Sequence, residues 1–509
     1  MRRGLALILA AAVSVAAAVS QASGAGSPRL AVFISDLHLG VGHTATGEWS
    51  PFEDFRWEQE FRRFLERIDR EGGGKTDLVL NGDTFELWQS LEPDCVYPDP
   101  NLGCSEADAL KRVRRVLSQH AGELQALKAF AVAGSNTVTI VPGNHDAALL
   151  FPAVADAVRN AIGAPADRLS IPASGYWMSA DGLVYAEHGH QIGAEVNRFD
   201  GWPHPFVAGP AGQHLRRPWG EKLVMDFYNQ FEIKYPIIDN ISEEQEAVRL
   251  AMKAEGRLGT IADSAEFIRF FLLGVSWDQF GSSLRGDGTP PEWDIAAIRS
   301  SGGEVFILES FASDDPIRAT LERRALLGGL PLTAATLEPD EIQAICDRRA
   351  AARAMQKEQN VPLSVTECPV KDPSLRAIAQ RLTRSRDEIF SKHLTQTANA
   401  LGRAASPFGV FVYSHTHLVD VGFYPLRSAG GAWDPRVINT GAWQRVVSPR
   451  TIAKWGLAPG DALRKTVETL PACYSMVWIA PYTNTPTAEI RSWRQSADGS
   501  WDFGPICED

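Results

Sequence analysis

Five short segments end in side chains able to bind metal ions. They are Asp36-Leu37-His38, Asn81-Gly82-Asp83, Gly143-Asn144-His145-Asp146, Glu187-His188-Gly189-His190 and His415-Thr416-His417. Asp36, Asp83 and Asn144 offer oxygen, His38, His188, His415 and His417 offer imidazole nitrogen, and no thiol joins them. That donor mixture suits Mn, Fe, Zn or Ni rather than Ca or Mg alone. The donors outnumber the positions around a single ion, whereas two divalent ions sharing a bridging carboxylate use them all. Two ions about 3.5–4 Å apart activate water and clamp both oxygens of an in-line displacement, the geometry of phosphoryl transfer. One Asp-x-His or His-x-His is common by chance, and an isolated histidine is more often a hydrogen-bonded structural residue. Here six of the 11 histidines fall in four such windows.

Each segment follows a short apolar run rich in β-branched or aromatic residues: Leu30–Ile34, Leu78–Leu80, Thr137–Val141, Leu183–Ala186 and Phe408–Tyr413. Such runs, bounded by Gly, Pro or Asn, read as strands. Two helical patterns separate the first three. One carries Phe61, Phe64, Leu65 and Ile68 on a single face. The other extends from Glu106 to Phe130, opened by the capping-box pattern Ser105-Glu106-Ala107-Asp108. The basic run Lys111-Arg112-Val113-Arg114-Arg115 reads as the solvated face of that second helix. Strands alternating with helices predict an α/β sheet with crossover helices. Ligands of such sheets bind beyond the C-terminal ends of the strands.

In their order, Asp36-Leu37-His38, Gly82-Asp83-Thr84-Phe85-Glu86, Gly143-Asn144-His145-Asp146, His188-Gly189 and His415-Thr416-His417 resemble the motif set of calcineurin-like metallophosphoesterases. The fragments Ser35-Asp36-Leu37-His38-Leu39 and Gly82 to Trp88 are most similar to the branch that includes UDP-2,3-diacylglucosamine pyrophosphatases. The resemblance implies a four-layer α/β/β/α sandwich of two packed sheets and a dimetal phosphoesterase. It implies a first ion on Asp36, His38, Asp83 and His417, and a second on Asp83, Asn144, His188 and His415. His145 would act at the phosphoryl or leaving-group oxygen, oriented by Asp146, while a hydroxide bridging the ions attacks. Glu86 would support the site from behind. Ser414 stands where the family usually has Gly, which bears on loop geometry rather than on the ligands. His190 stays open between substrate contact, support of the ligands and a structural role. Arg198 stays open between a phosphate contact and a surface ion pair.

The rest of the chain bounds the setting. It has 509 residues, 44% hydrophobic and 22% charged, with a formal net charge of −12. An acidic chain of this kind disfavours extended nucleic-acid binding. Arg2 and Arg3 followed by the small-apolar run Leu5–Val19 read as a signal peptide over residues 1–25, so the mature protein is expected to be secreted or periplasmic and without a transmembrane span. The six cysteines fall as neighbours, predicting Cys95–Cys104, Cys346–Cys368 and Cys473–Cys507 disulfides in an oxidising compartment. Residues 28–200 and 405–509 then form the two parts of a phosphoesterase core, with a large helical insertion or cap at 201–404. After Trp443, strand-like pieces are expected to finish the second sheet. Glu266–Phe280 is apolar almost all round, which leaves two readings open: burial, or an apolar cleft over the ions. The second would make the substrate amphiphilic, with peripheral membrane contact, rather than a small phosphorylated molecule. Two other functions compete: a dimetal hydrolase of a non-phosphate ester or amide, and a non-catalytic metal-binding scaffold.

Overall fold

The computed structural model describes residues 29–254 and 389–507, apart from 91, 93, 193–196, 226–228, 242–246, 248–249, 252–253, 425 and 497. The signal peptide, the apolar stretch Glu266–Phe280 and the Cys346–Cys368 pair lie outside the described residues.

The N-terminal half runs β1 (Leu30–Ile34), α1 (Glu58–Glu71), β2 (Thr76–Asn81), β3 (Leu102–Ser105), α2 (Glu106–Gln119), α3 (Ala121–Val132), β4 (Thr137–Val141), α4 (Pro152–Ile162), β5 (Leu169–Ser170), β6 (Tyr176–Met178) and β7 (Val184–Glu187). The hairpin β8 (Phe206–Gly209) and β9 (Gly212–Arg216) and the short helices α5 (Trp219–Leu223) and α6 (Asn229–Glu232) follow. After a helix at 389–400 come β10 (Val410–Tyr413), β11 (Val419–Phe423), β12 (Leu426–Ser428), β13 (Gly431–Trp433), β14 (Arg436–Thr440), α7 (Pro449–Lys454), α8 (Pro459–Leu463), β15 (Cys473–Ile479), β16 (Ala488–Gln495) and β17 (Trp501–Gly504). The protein is a mixed α/β structure with several sheets.

The seven-stranded sheet has the order β17-β16-β15-β1-β2-β4-β5, and the five-stranded sheet β11-β14-β10-β7-β6. In the first, β1, β2 and β4 are parallel with Ile34 opposite Leu80 and Leu80 opposite Ile140, so their C-terminal ends lie level. In the second, β10 runs parallel to both β7 and β14, with Val412 opposite Ala186 and Ile438. Strand alternation sorts the core. Leu30, Val32, Ile34, Leu78 and Leu80 pack with Phe61, Phe64, Leu65 and Ile68 of α1 and with residues of α2, α3 and α4. Ala31, Phe33, Val79 and Val141 face the opposite way and meet Val184, Ala186, Val410, Val412 and Ile438 of the other sheet. On that sheet's far side, Tyr185, Phe411, Tyr413 and Val437 pack with Phe390, Leu394 and Ala398 of the 389–400 helix. Burial on both faces explains why β1 reads as an unbroken apolar run.

Four expectations need correction. The C-terminal strands complete the first sheet: β15 pairs antiparallel with β1, Phe33 opposite Val477, and places Val477 and Ile479 in the layer between the sheets. Residues 206–216, expected to open a helical segment, form a hairpin that pairs with β3, because Gly209 and Gly212 close a tight turn around Pro210-Ala211. The helix beginning at Glu106 is capped by Ser105, whose Oγ accepts the Asp108 N–H at 3.2 Å, but it stops at Gln119. There His120 leaves helical geometry at φ −109°, ψ 33°, and its buried ring lies 3.3 Å from a Glu53 carboxylate oxygen and 3.5 Å from one of Glu123. Burial alone would lower this imidazole; hydrogen bonds to Glu123 and Glu53 outweigh it and raise it to about 10. Finally, Arg112 is not on a solvated face. It is 3% exposed and donates to the carbonyls of Leu87 at 2.6 Å and Asp94 at 2.7 Å.

The Cys95–Cys104 and Cys473–Cys507 disulfides are formed. Among the described residues, no helix is long and apolar enough to cross a membrane. Arg112→Met keeps the apolar stem but leaves two buried carbonyls without their donor, at about 1–3 kcal/mol for each lost partner. The melting temperature of Arg112→Met should fall, and proteolysis should accelerate within residues 87–94. A variant as stable and as protected as wild type would remove Arg112 as the anchor of this loop.

Candidate metal centre

The loops beyond β1 and β2 run side by side. Asp36 N–H donates to Gly82 O at 3.1 Å, His38 N–H to Asp83 O at 3.1 Å and Leu39 N–H to Thr84 O at 2.9 Å. Asp36 and His38 are thereby held level with Asp83. The second sheet joins through Asn81, the last residue of β2. Its Nδ2 donates to Glu187 O and to Ser414 Oγ, both at 2.8 Å. Its carbonyl lies 2.9 Å from His188 Nδ1. Ser414 Oγ also accepts from Thr440 Oγ1 at 2.8 Å, and Thr440 Oγ1 lies 2.7 Å from Ser35 Oγ. The hydroxyl that glycine would lack at position 414 is therefore part of the tie between the sheets. Asn439 Nδ2 supports the turn that carries His415 and His417, donating to Ser414 O at 3.1 Å and Thr416 Oγ1 at 3.0 Å.

The backbone is strained where these side chains converge. Asp36, His38, Asp83, His415 and His417 have φ of 53°, 50°, 50°, 77° and 57°. They are five of the six non-glycine residues with positive φ among the described residues. Left-handed backbone costs a non-glycine residue about 1–3 kcal/mol and persists only where surrounding contacts enforce it. Close approach also requires glycine twice: a Cβ on Gly82 would stand 2.2 Å from His188 Nδ1, and one on Gly143 would stand 2.2 Å from Asp83 Oδ1.

The expected ligand residues gather in two groups. Asp36, His38 and His417 bring one donor atom each within 4.8 Å of one another, and so do Asp83, His188 and His415. His188 Nε2 lies 2.9 Å from Asp83 Oδ2, 3.0 Å from Asn144 Oδ1 and 4.0 Å from Asp36 Oδ1. His417 Nε2 lies 3.3 Å from Asp36 Oδ1. Asp36 Oδ1 and His38 Nε2 are buried without a hydrogen bond. His38 Nδ1 is 3.0 Å from Glu86 Oε2, which leaves the Nε2 lone pair facing the site. The same logic applies to His188, whose Nδ1–H is used by the Asn81 carbonyl. Nitrogen and oxygen lone pairs thus point at each other, and either protons or cations must stand between them. The residues present fit a pair of divalent ions.

The charges agree. Burial alone would raise the Asp83 carboxyl, but His188 and His145 outweigh it and hold it well below the usual range. Burial would also raise Asp36, which His417 instead holds low. Burial opposes an imidazolium at His188, yet Asp83 and Asp36 raise it to about 9. Burial, with His188 beside it, pushes His415 down to about 3, the neutral form that a ligand needs.

His145 and His417 stand on the cluster's rim, with side chains 16% and 13% exposed. His145 N–H donates to Asp83 Oδ1 at 2.8 Å, and its ring stacks on Trp88 with centroids 4.1 Å apart. Asp146 does not orient it. Asp146 accepts the backbone N–H groups of Thr84, Phe85 and Gly143 at 2.9, 3.2 and 2.6 Å, so it is spent on fastening two loops together. Burial, with Asp83 nearby, raises Asp146 to about 7. His145 Nδ1 hydrogen-bonds instead to Glu86 Oε2, the oxygen that also serves His38. Glu86 Oε1 accepts from Trp88 N at 2.6 Å and Gln89 N at 2.8 Å. His190 is buried and in neither ligand group; its ring meets Trp202 edge-on at 4.3 Å, and burial holds it well below the ordinary imidazole value. Arg198 donates to Gln191 O. The sequence assigned no role to Asn81, Asn439 or Thr440, although Asn81 and Thr440 close strands that lead into this region and Asn439 directly precedes Thr440.

No protein-family model matches the chain, and no curated protein matches it.

Burial alone would lower His145, but Glu86 and then Asp83 outweigh it and raise it to about 10. Burial would raise Glu86, and His145 outweighs it, so the carboxyl is depressed from 4.5. The stabilisation from this pair is complete between the ordinary values of 4.5 and 6.5, is lost as pH rises through about 10, and is lost again as pH falls below 4.5 towards the depressed value. In metal-stripped protein, Glu86→Gln should move the His145 midpoint, read from imidazole NMR shifts, downward towards 6.5. An unmoved midpoint would show that Glu86 does not set it.

Proposed function

We propose that the protein is a metal-dependent phosphoester hydrolase of the calcineurin-like metallophosphoesterase type, acting after export. The observation that carries this is the meeting of His188 Nε2 with Asp83 Oδ2 at 2.9 Å and Asn144 Oδ1 at 3.0 Å, beside the Asp36, His38 and His417 group. The interleaved apolar layers of helices, sheet, sheet and helix support a four-layer sandwich. Two disulfides fit an oxidising compartment.

Asp36, His38 and His417 would hold one divalent ion, and Asn144, His188 and His415 the other, with Asp83 between them. Such ions supply Lewis acidity and lower the pKa of water from 15.7 to about 7. The chain's own residues then divide the remaining work. Asn144 contributes a neutral oxygen, which limits negative charge where a phosphate anion arrives. His145, on the open rim, is held as an imidazolium by Glu86 and can donate a hydrogen bond or a proton to a phosphoryl or leaving-group oxygen. Trp88 stacked on its ring fixes its direction. Phosphomonoesters, phosphodiesters and pyrophosphates all fit this chemistry, whether on small soluble or amphiphilic substrates.

Asp83→Asn should abolish hydrolysis of aryl phosphate esters and remove both metal equivalents. His145→Asn should keep both metals and slow turnover by about 10²–10⁴-fold, the usual contribution of a positioned acid or base. Elemental analysis and turnover on the same samples check both. Two metals retained in Asp83→Asn would remove the bridging assignment, and cleavage of carboxylic esters or amides without phosphoesters would replace the substrate class.

A further inference from the structure

Glu187 is the last residue of β7, directly before His188, and it is held from both sides. Its carbonyl accepts from Asn81 Nδ2 at 2.8 Å, within the tie between the sheets. Its carboxylate, like the Tyr185 ring two residues earlier, lies on the far face of the second sheet. There the Tyr185 hydroxyl donates to Glu187 Oε2 at 2.8 Å, and His393 Nε2 stands 2.6 Å from Oε1. His393 is 206 residues further along the chain, in the helix at 389–400. The two side chains are 15% and 13% exposed, so the pair is largely closed to water. The His393 ring also meets Phe411 edge-on, with centroids 5.9 Å apart. The following peptide is fixed as well: His188 O accepts the Ser414 N–H at 2.8 Å.

From this geometry we propose that His393 is a positioning residue for His188, acting through the Glu187 carboxylate. The inference deepens the dinuclear reading and rests on it. The 389–400 helix does not need a polar pair in order to dock, because Phe390, Leu394 and Ala398 already bury against the sheet. A largely buried pair of this kind also adds little net stability, since lost hydration offsets the attraction. What it adds is direction. The end of β7 cannot turn without drawing the Glu187 carboxylate away from His393 and Tyr185, or its carbonyl away from Asn81. His188 springs from the next Cα, and its Nε2 must stand between Asp83 Oδ2 and Asn144 Oδ1. Groups that orient a metal-binding histidine set its affinity for the ion by about 10–100-fold. His393 would exert that control from a helix that touches the opposite face of the sheet.

Zn2+ titrated into metal-free protein in competition with a chromophoric chelator reads the affinity of each equivalent without any activity measurement. Wild type should bind two. His393→Asn, whose amide is too short to reach Glu187, should weaken one equivalent by about tenfold, the lower end of what loss of an orienting partner costs. His393→Gln, whose amide nitrogen falls near the place of Nε2, should bind both as wild type does. Glu187→Ala should reproduce the loss seen in His393→Asn, and the two changes together should cost no more than either alone. Melting temperatures of the metal-free samples are recorded beside the affinities. Full affinity for both equivalents in His393→Asn, even with a lower melting temperature, would overturn the proposal and leave the pair a fastening for the helix. Equal weakening in His393→Asn and His393→Gln would overturn it too. Should His393→Asn not fold, Glu187→Ala gives the decision by the same criterion. Failure of the metal-centre reading looks different: wild type then binds no Zn2+, and the positioning role falls with it.

Discussion

The hydrogen bond from His188 Nδ1 to the Asn81 carbonyl governs the centre. It fixes the tautomer, and with it the direction of the lone pair on Nε2. That lone pair then faces two further acceptors, Asp83 and Asn144, inside a region closed to water. Electron pairs in such a place repel one another unless a positive charge intervenes. Where no cation stands, protons meet that demand: Asp83 and Asp36 outweigh burial and raise His188 to about 9. The rest of the molecule can be seen as the apparatus that prevents these groups from moving apart. Level strand ends, the Asn81 bridge and the packed layer between the sheets all oppose that motion.

Glu86 extends this control outward. A single carboxylate oxygen serves both His38, in the proposed ligand set, and His145, on the rim. The two imidazoles therefore share one orienting charge. Their rings stand edge to face with centroids 4.6 Å apart, and neither can turn without disturbing the other. Positioning on the open side is thus tied to integrity on the closed side.

Much of the candidate site was legible in the sequence because strands announce themselves by apolar runs and possible metal donors by residue type. All five strand ends and the grouping of Asp36, His38, Asp83, Asn144, His188, His415 and His417 follow from those two signals. What escaped is what depends on partners distant in the chain. The orienting role that the resemblance implies for Asp146 is not seen, because this carboxylate turns instead to the backbone amides of Gly143, Thr84 and Phe85. Arg112 looked solvated because the loop carbonyls that bind it carry no sequence signature. The sheet joined by β15 and β16 could not be chosen from alternation alone, since both sheets offer a face to the same inner layer. Asn81 and Thr440 were given no role because a polar residue closing a strand is ordinary, and only the facing sheet makes it a bridge.

The placement of β1 has a consequence for how the chain reaches its final form. One of the neighbours of this strand, β15, lies far along the chain, with Phe33 set against Val477. Until β15 is available, one edge of β1 keeps its backbone N–H and C=O groups unpaired, the kind of edge that adheres to other chains. Contacts so remote in sequence are slow to form, because chain entropy is lost before they contribute. A protein truncated before β15 would lose more than its last strands. It would leave the middle of its largest sheet exposed as an adhesive border, so self-association is the hazard that shortening this chain carries.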